Sequence, residues 1–413
     1  PFRNTSLRAS FNSYHGVGTR ATAVTPRDAI SYWKSLGSPA WDPIASAVTV
    51  NGVTTTTGAT NPTGLGNQNF AQPIRYVDNG IQLWQIGRMP AATATNGPNN
   101  TAGNNRMLES IAEPVRTGRP LFSTLAGVSS KSVYDYSSIN LGAPNTIQDQ
   151  IETSTVEFEQ FLLNTDRNKF AVQIAWQRED ADRINRNVIG QASATGASYY
   201  LYIDPNTRLL DGRTNPYFGR PYVGAGEPVT EEQPYVRDSY RGQGAYILDF
   251  SNSNQWTKWI GRHQLLGYYE ERKTKTFRYR FRDVMTSDNP IYAPAGQPKG
   301  NQSGTTAPLA TRGYYHFYVG DHQGRNVDYG ASQYNLGNYT FNWFNPVTNA
   351  WVGDNVTLGR SGINEGTAGG FAVLNLIKTK GAMLQSNLFQ DRLILTFGRR
   401  EDGKFTPSRL ELV

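Results

Sequence analysis

Apolar and polar residues alternate one for one along arms of ten or more residues in this sequence, and pairs of such arms are joined by short turns. Between 152 and 180, Val156 and Phe158 share one face while Glu157 and Glu159 share the other. After the turn Asn164-Thr165-Asp166-Arg167-Asn168, a second arm sets Phe170, Val172, Ile174 and Trp176 against Ala171, Gln173, Ala175 and Gln177. A period of two sends successive side chains to opposite faces of a strand, so the segment predicts an antiparallel hairpin with one apolar and one polar face. In a second hairpin Tyr246, Leu248 and Phe250 alternate against Gln243, Ala245 and Asp249, with a turn near Ser251-Asn252-Ser253-Asn254. Its return arm runs from about Trp259 to Asp283 and interleaves Phe277, Tyr279 and Phe281 with Arg278, Arg280 and Arg282. A third spans 371–400, where Leu388-Phe389-Gln390-Asp391 leads into an arm with Leu393, Leu395 and Phe397 on its apolar face. Residues 5–15 alternate in the same way, with Leu7, Ala9 and Phe11 on one side.

Strands of soluble proteins average ~5–6 residues, so arms of this length need a special setting. Between them, 16–148 is loop-like with polar runs, broken by short β-like pieces such as Ile81-Gln82-Leu83-Trp84, and roughly 181–238, 284–312 and 320–368 are irregular and rich in Asn, Gly, Pro and Tyr. Only Pro26-Arg27-Asp28-Ala29-Ile30-Ser31-Tyr32-Trp33 reads as a short helix within the first of these, with Pro near its start. Short turns at one end and long loops at the other are the pattern of an outer-membrane β-barrel, whose inner side needs only closure while its outer side carries recognition. In lipid every backbone group must find a partner within the protein, which is why many long arms would occur together. Trp176, Tyr246, Trp256 and Trp259 rim the apolar faces as an interfacial aromatic girdle would.

Composition agrees with this reading. The hydrophobic fraction is 38% and the mean hydropathy −0.55; no run approaches the ~20 apolar residues of a spanning helix, whereas a barrel strand needs only ~9–11 residues and shows lipid every second one. With 23 Tyr, 18 Phe, 8 Trp and 41 Gly, the chain favours strands and loops over helices. There is no cysteine, hence neither a disulfide framework nor a thiolate metal site. The net charge of +7 comes from 40 basic and 33 acidic residues without like-charge blocks, which argues against nucleic acid as a partner. The start Pro1-Phe2-Arg3 and the end Arg409-Leu410-Glu411-Leu412-Val413 are expected to be cut from a longer protein.

Several segments resemble TonB-dependent outer-membrane receptors, notably a large-looped subgroup of polymer-degrading Gram-negative bacteria. They are Asn164-Thr165-Asp166-Arg167-Asn168-Lys169 through Trp176-Gln177-Arg178-Glu179-Asp180, Leu209-Leu210-Asp211-Gly212, and Asn215-Pro216-Tyr217-Phe218-Gly219-Arg220-Pro221-Tyr222. Tyr279-Arg280-Phe281-Arg282-Asp283 and the run from Leu388 to Asp402 complete the set, which covers most of 130–405. The resemblance implies an all-β, antiparallel transmembrane barrel of 22 strands filled by an N-terminal plug. About eight of the strands would lie here, with 16–148 as a long extracellular loop and 149–405 as barrel strands and loops. Neither the plug nor the TonB box is recognisable in the sequence. The implied function is import of a scarce nutrient of the oligosaccharide or siderophore class, without enzymatic chemistry. The implied partners are the TonB-ExbB-ExbD complex acting through the plug, outer-membrane lipid and lipopolysaccharide, and the small nutrient itself. The competing reading is a secreted soluble β-protein, a sandwich, propeller or solenoid, that binds or cleaves polysaccharide.

Residues with chemistry are scattered. The acidic pairs Glu157/Glu159, Glu270/Glu271 and Glu179/Asp180 supply the residue types of a glycosidase, but on a strand's polar face they read more simply as lumen lining. His15, His263, His316 and His322 lack metal-binding spacing, and no G-x-S-x-G or phosphate-binding glycine loop occurs. No cofactor is expected. Asp204-Pro205-Asn206 with Asp211-Gly212 offers oxygen ligands for Ca²⁺, yet suits turns that need no ion. The Arg278/Arg280/Arg282 row is a candidate for anionic ligands, although lipopolysaccharide phosphates or loop carboxylates would satisfy it equally. Tyr199/Tyr200, Tyr217/Phe218 and Tyr314/Tyr315 are candidates to stack on sugar rings, or to pack the loops together.

Overall fold

The structure is a computed structural model of the 413-residue chain. It describes residues 4–19, 26–56, 65–67, 73–78, 81–86, 107–110, 127–133, 145–188, 200–226, 228–252, 256–286, 314–319, 335–345, 348, 350–362 and 369–406. The chain is all-β, and the three hairpins read from alternation are present. Seven long strands, rather than about eight, form an antiparallel meander among the described residues. They are β1 (Thr5–Thr19), β2 (Thr146–Asn164), β3 (Asn168–Asn187), β4 (Tyr235–Asp249), β5 (Arg262–Met285), β6 (Phe371–Leu388) and β7 (Leu393–Phe405). They pair in that order.

The short turns lie together at one end. Thr165 closes the β2–β3 turn, its backbone N–H donating to the Asn168 carbonyl at 2.8 Å. Phe389, Gln390 and Asp391 all take left-handed backbone angles between β6 and β7, and the Asn387 amide donates to the Asp391 carboxylate at 3.0 Å. The β4–β5 connection carries a short 3₁₀ turn, Trp256–Trp259, and passes beside β6. Gly261 makes that passage feasible: its φ is +75° and a Cβ would run into the Asn387 carbonyl.

Register fixes two faces. One carries Leu7, Phe158, Ile174 and Tyr269, and Leu384, Leu395 and Phe397 further along. Among the described residues nothing covers these side chains: Leu7 is 71%, Ile174 63% and Phe397 64% exposed. The other face is charged, and one row across all seven strands reads Arg8, Glu157, Ala175, Arg241, Glu270, Thr379, Asp402.

The apolar band does not follow the hydrogen-bonded rows. Gln173, at the middle of the band Phe170–Trp176 on β3, lies in register with Ser6 on β1 and Arg400 on β7. The band itself centres on Ala9 in β1, three residues nearer the loops, and on Leu395 in β7, five residues nearer the turns. Eight residues at ~3.3 Å set against six strand spacings at ~4.8 Å incline the band to the rows by about 40°. Strands crossing a flat apolar layer at the tilt of membrane barrels, ~35–45°, produce such a diagonal.

The described parts of 16–148, 181–238 and 320–368 hold strands, among them the β-like piece expected at Ile81-Gln82-Leu83-Trp84, and they fold into a layer of their own at the other end of the long strands. Val229–Glu232 wedges between β3 and β5 above the end of β4, and Ala350–Gly362 pairs with the tip of β5. From there the sheet runs through Gly337–Asn345, Ile81–Ile86, Pro73–Asp78, Tyr314–Tyr318, Pro221–Gly226 and Tyr200–Ile203 to Arg27–Asp28. Three of these pairings are parallel and join strands from different connections. Helix α1 (Ile30–Ser35) begins inside the stretch expected to be helical and ends past it. A small sheet of Ala40–Asp42, Ala47–Val50 and Val53–Thr56 follows.

The hydrophobic core belongs to this layer. Ile30, Trp33, Trp41, Val77, Leu201, Val223, Phe317 and Leu358 are buried together. Among the described residues, Val284, at the loop end of β5, is the only buried hydrophobic residue from a long strand.

Candidate functional site on the charged face

Strand alternation puts consecutive residues on opposite faces, and this separates two of the three acidic pairs. Glu270 faces the charged side and Glu271 the apolar side; Glu179 and Asp180 divide in the same way. Glu179 accepts from Arg237 at 2.8 Å, whereas Asp180 meets Arg178 at 3.5 Å. Glu157 and Glu159 do share the charged face, opposite Arg8 and Ser6.

A cavity of about 270 Å³ opens on that face over β2 to β5, with Glu157, Gln177, Arg237, Arg241, Glu270 and Arg272 in its wall. Arg272 lies 3.4 Å from Glu270. Arg241 donates to the Gln243 amide oxygen at 2.8 Å and stands 6.0 Å from the centre of the Tyr268 ring. Glu157 and Glu270 are three strand spacings apart, ~14 Å between backbones. The arrangement offers charged and hydrogen-bonding groups to a polar ligand.

The Arg278/Arg280/Arg282 row sits beyond the cavity, where β5 enters the folded loops. Glu231 of the wedge strand fills it: Arg278 donates at 2.6 Å and Arg280 lies at 3.4 Å from the same carboxylate oxygen. Arg282 is buried, and its neighbour Asp283, fully buried, accepts from Arg186 at 2.8 Å. The row therefore meets a loop carboxylate of the chain itself, one of the two uses expected for it.

The tyrosine candidates divide. Tyr217 and Tyr315 are buried. Tyr217 stacks on Tyr318 at 4.2 Å and on Tyr76 at 5.4 Å between ring centres, and Tyr315 stacks on Phe317 at 5.9 Å. Both pack the loops together instead of presenting a sugar platform. Tyr199 lies outside the described residues, and for Tyr200 and Tyr314 the structure describes the backbone alone.

Around Tyr217 lies a polar cluster that sequence reading did not anticipate. The Asp204 carboxylate accepts from the Asn206 side chain at 2.6 Å, from Asn215 at 3.1 Å and from the Tyr318 hydroxyl at 2.7 Å. This is the Asp204-Pro205-Asn206 turn, whose oxygens were weighed for Ca²⁺ against plain turn chemistry; here protein donors reach its carboxylate. His316 stacks on Tyr222 with ring centres 4.0 Å apart, and its Nδ1 lies 3.3 Å from the Tyr318 hydroxyl. Arg220 forks onto Asp78, with one bond at 3.0 Å. Burial pushes the Tyr318 and Tyr76 hydroxyls well above their ordinary values, and that of Tyr217 to about 12. It also raises the Asp204 carboxyl, against its hydrogen bonds, and lowers His316 to about 3. The segments 209–212 and 215–222, which carried the family resemblance, enclose this cluster; their Asn, Asp and Gly content was the available signal.

No cluster of three or more His, Asp or Glu able to hold a metal occurs among the described residues. No family model, no curated protein and no solved structure matches the chain.

Proposed function

We propose that the long-stranded sheet is part of the wall of an outer-membrane β-barrel, and that the protein is a TonB-dependent receptor importing a scarce nutrient of the oligosaccharide or siderophore class. The carrying observation is the uncovered apolar band, inclined at about 40° to the strand pairing, on a sheet whose opposite face is charged. A sheet bathed in water on both sides would leave Leu7, Phe11, Ile174, Leu265 and Phe397 hydrated for no return. In a bilayer the same side chains meet acyl chains while the charged face lines the lumen. Trp256 and Trp259 then stand at the turn-side rim, with Trp176 and Tyr240 at the loop-side rim.

The folded loop layer supports the receptor part of the reading. Its core is large enough to hold recognition elements rigidly outside the bilayer, whereas the turns at the other end only reverse the chain. The seven strands run alternately, so β1 and β7 point the same way, and their outer edges carry no partner among the described residues. An antiparallel ring that includes them needs an odd number of further strands, which 22 in all would satisfy.

The test is fractionation of the full-length protein after carbonate extraction, with gel migration before and after heating. Retention in the outer membrane and a shift on heating are expected of a barrel. Recovery in the soluble fraction with no shift would instead leave the secreted polysaccharide-binding reading.

A further inference from the structure

We infer that the cavity on the charged face is a binding subsite for a carboxylate-bearing sugar unit, held by Arg241. This rests on the uptake reading and narrows its ligand to acidic oligosaccharides.

Two of the three arginines that line the cavity are held by carboxylates of the chain. Glu179 holds Arg237 and Glu270 holds Arg272, while Glu157 stands opposite Arg8 in register only. Beyond the cavity on the same face, Asp402 holds Arg400 and Asp149 holds Arg183. Arg241 breaks the pattern: its contacts are the neutral Gln243 amide and the Tyr268 ring. Glu270 stands directly across from it in register, but bonds to Arg272. Among the described residues no carboxylate holds this guanidinium fork, which is presented to the cavity, and its planar donors fit a carboxylate in two-point contact.

The surroundings select among anions. Glu157 and Glu270 flank the fork and repel a doubly charged phosphate more than a singly charged carboxylate. Thr155, Gln177 and Ser239 line the cavity with hydroxyl and amide groups, the partners a polyhydroxylated ring requires. The volume of about 270 Å³ lies just under the ~300–1,000 Å³ usual for small-molecule pockets, which suits one ring of a longer chain.

Calorimetry on the full-length protein in detergent tests this, with trigalacturonate and a neutral trigalactoside of the same linkage as probes. Trigalacturonate should bind more tightly than its neutral counterpart and weaken as salt is added. Arg241→Gln should reduce its affinity roughly 10–100-fold, the usual effect of losing a charge-assisted contact. Arg241→Lys should fall between, and Glu270→Gln should bind as tightly as wild type or more so, because a competing carboxylate is gone. Heat-shifted migration confirms the fold of each variant. Equal affinity for acidic and neutral probes, or unchanged binding by Arg241→Gln, overturns the subsite. A protein that stays in the outer membrane yet binds neither probe loses the subsite and keeps the uptake reading. A soluble protein that binds trigalacturonate through Arg241 does the reverse.

Discussion

His316 and Asp204 are buried in one cluster, joined through the Tyr318 hydroxyl, and they respond to acid in opposite senses. An imidazole held at about 3 stays neutral in the folded layer, while in the unfolded chain it takes a proton near ~6.5. Its contribution is therefore complete above pH ~6.5 and is lost as pH falls toward 3, amounting to about 2 kcal/mol by pH ~5. Asp204 has its carboxyl raised by burial, so on the same descent the folded form takes up a proton before the unfolded one and part of the loss is offset. Hydrogen exchange of the strands Pro221–Gly226 and Tyr314–Tyr318, compared at pH 7.5 and 5, should show weaker protection at the lower pH. His316→Phe keeps a flat ring against Tyr222 and should remove that weakening, leaving a slope of opposite sign from Asp204. Equal acid sensitivity in variant and wild type would mean that His316 is not the titrating group.

At the scale of the strand, the same side chain has two different values in the two environments open to it. Ile174 is 63% exposed in the middle of β3, between Phe158 and Gly242 on the apolar face. In water, Ile174→Arg would change stability by no more than ~0.5 kcal/mol, as surface substitutions do. Facing a bilayer it should cost about 2–4 kcal/mol, seen as a lower denaturant midpoint for folding into lipid vesicles. A change below half a kcal/mol in vesicles would argue that this face does not meet lipid. The long hairpins were legible because each strand repeats one rule, apolar on one face and polar on the other, for ten or more residues; even the turn Phe389-Gln390-Asp391, which lacks glycine, was located by the alternation on both sides of it. Of the loop strands, Ile81–Ile86 was legible as a β-like piece, and the others were not, for the opposite reason. Tyr314–Tyr318 and Pro221–Gly226 are only five and six residues long, and both Tyr315 and His316, consecutive on one strand, are fully buried. A strand covered on both faces has no alternation to read, and its parallel partner Pro73–Asp78 lies far off in the sequence. The charged cavity was half legible: the polar face of β2 and β3 was read correctly, but which arginine keeps a neutral partner depends on register across four strands.

For the whole molecule, the two ends of the long sheet are chemically unlike, and their separation by the apolar band makes sidedness measurable. At one end Asp166 sits in the exposed three-residue turn between β2 and β3; at the other Thr214 is exposed on the loop layer, next to Asn215, whose amide bonds Asp204. The chain contains no cysteine, so one introduced at either place gives a label site without background from this region. If the band lies in the outer membrane with the folded loops outward, Thr214→Cys in intact cells should react with a membrane-impermeant maleimide, and Asp166→Cys only after the envelope is opened. Neither substitution touches the core, so both proteins should show the wild-type gel shift on heating. Labelling of Asp166→Cys alone in intact cells would invert the molecule and turn its elaborate loop layer toward the periplasm, where the receptor reading has no use for it. Equal labelling of both in intact cells would mean that no bilayer separates them, and the apolar band would then need a protein partner in place of lipid.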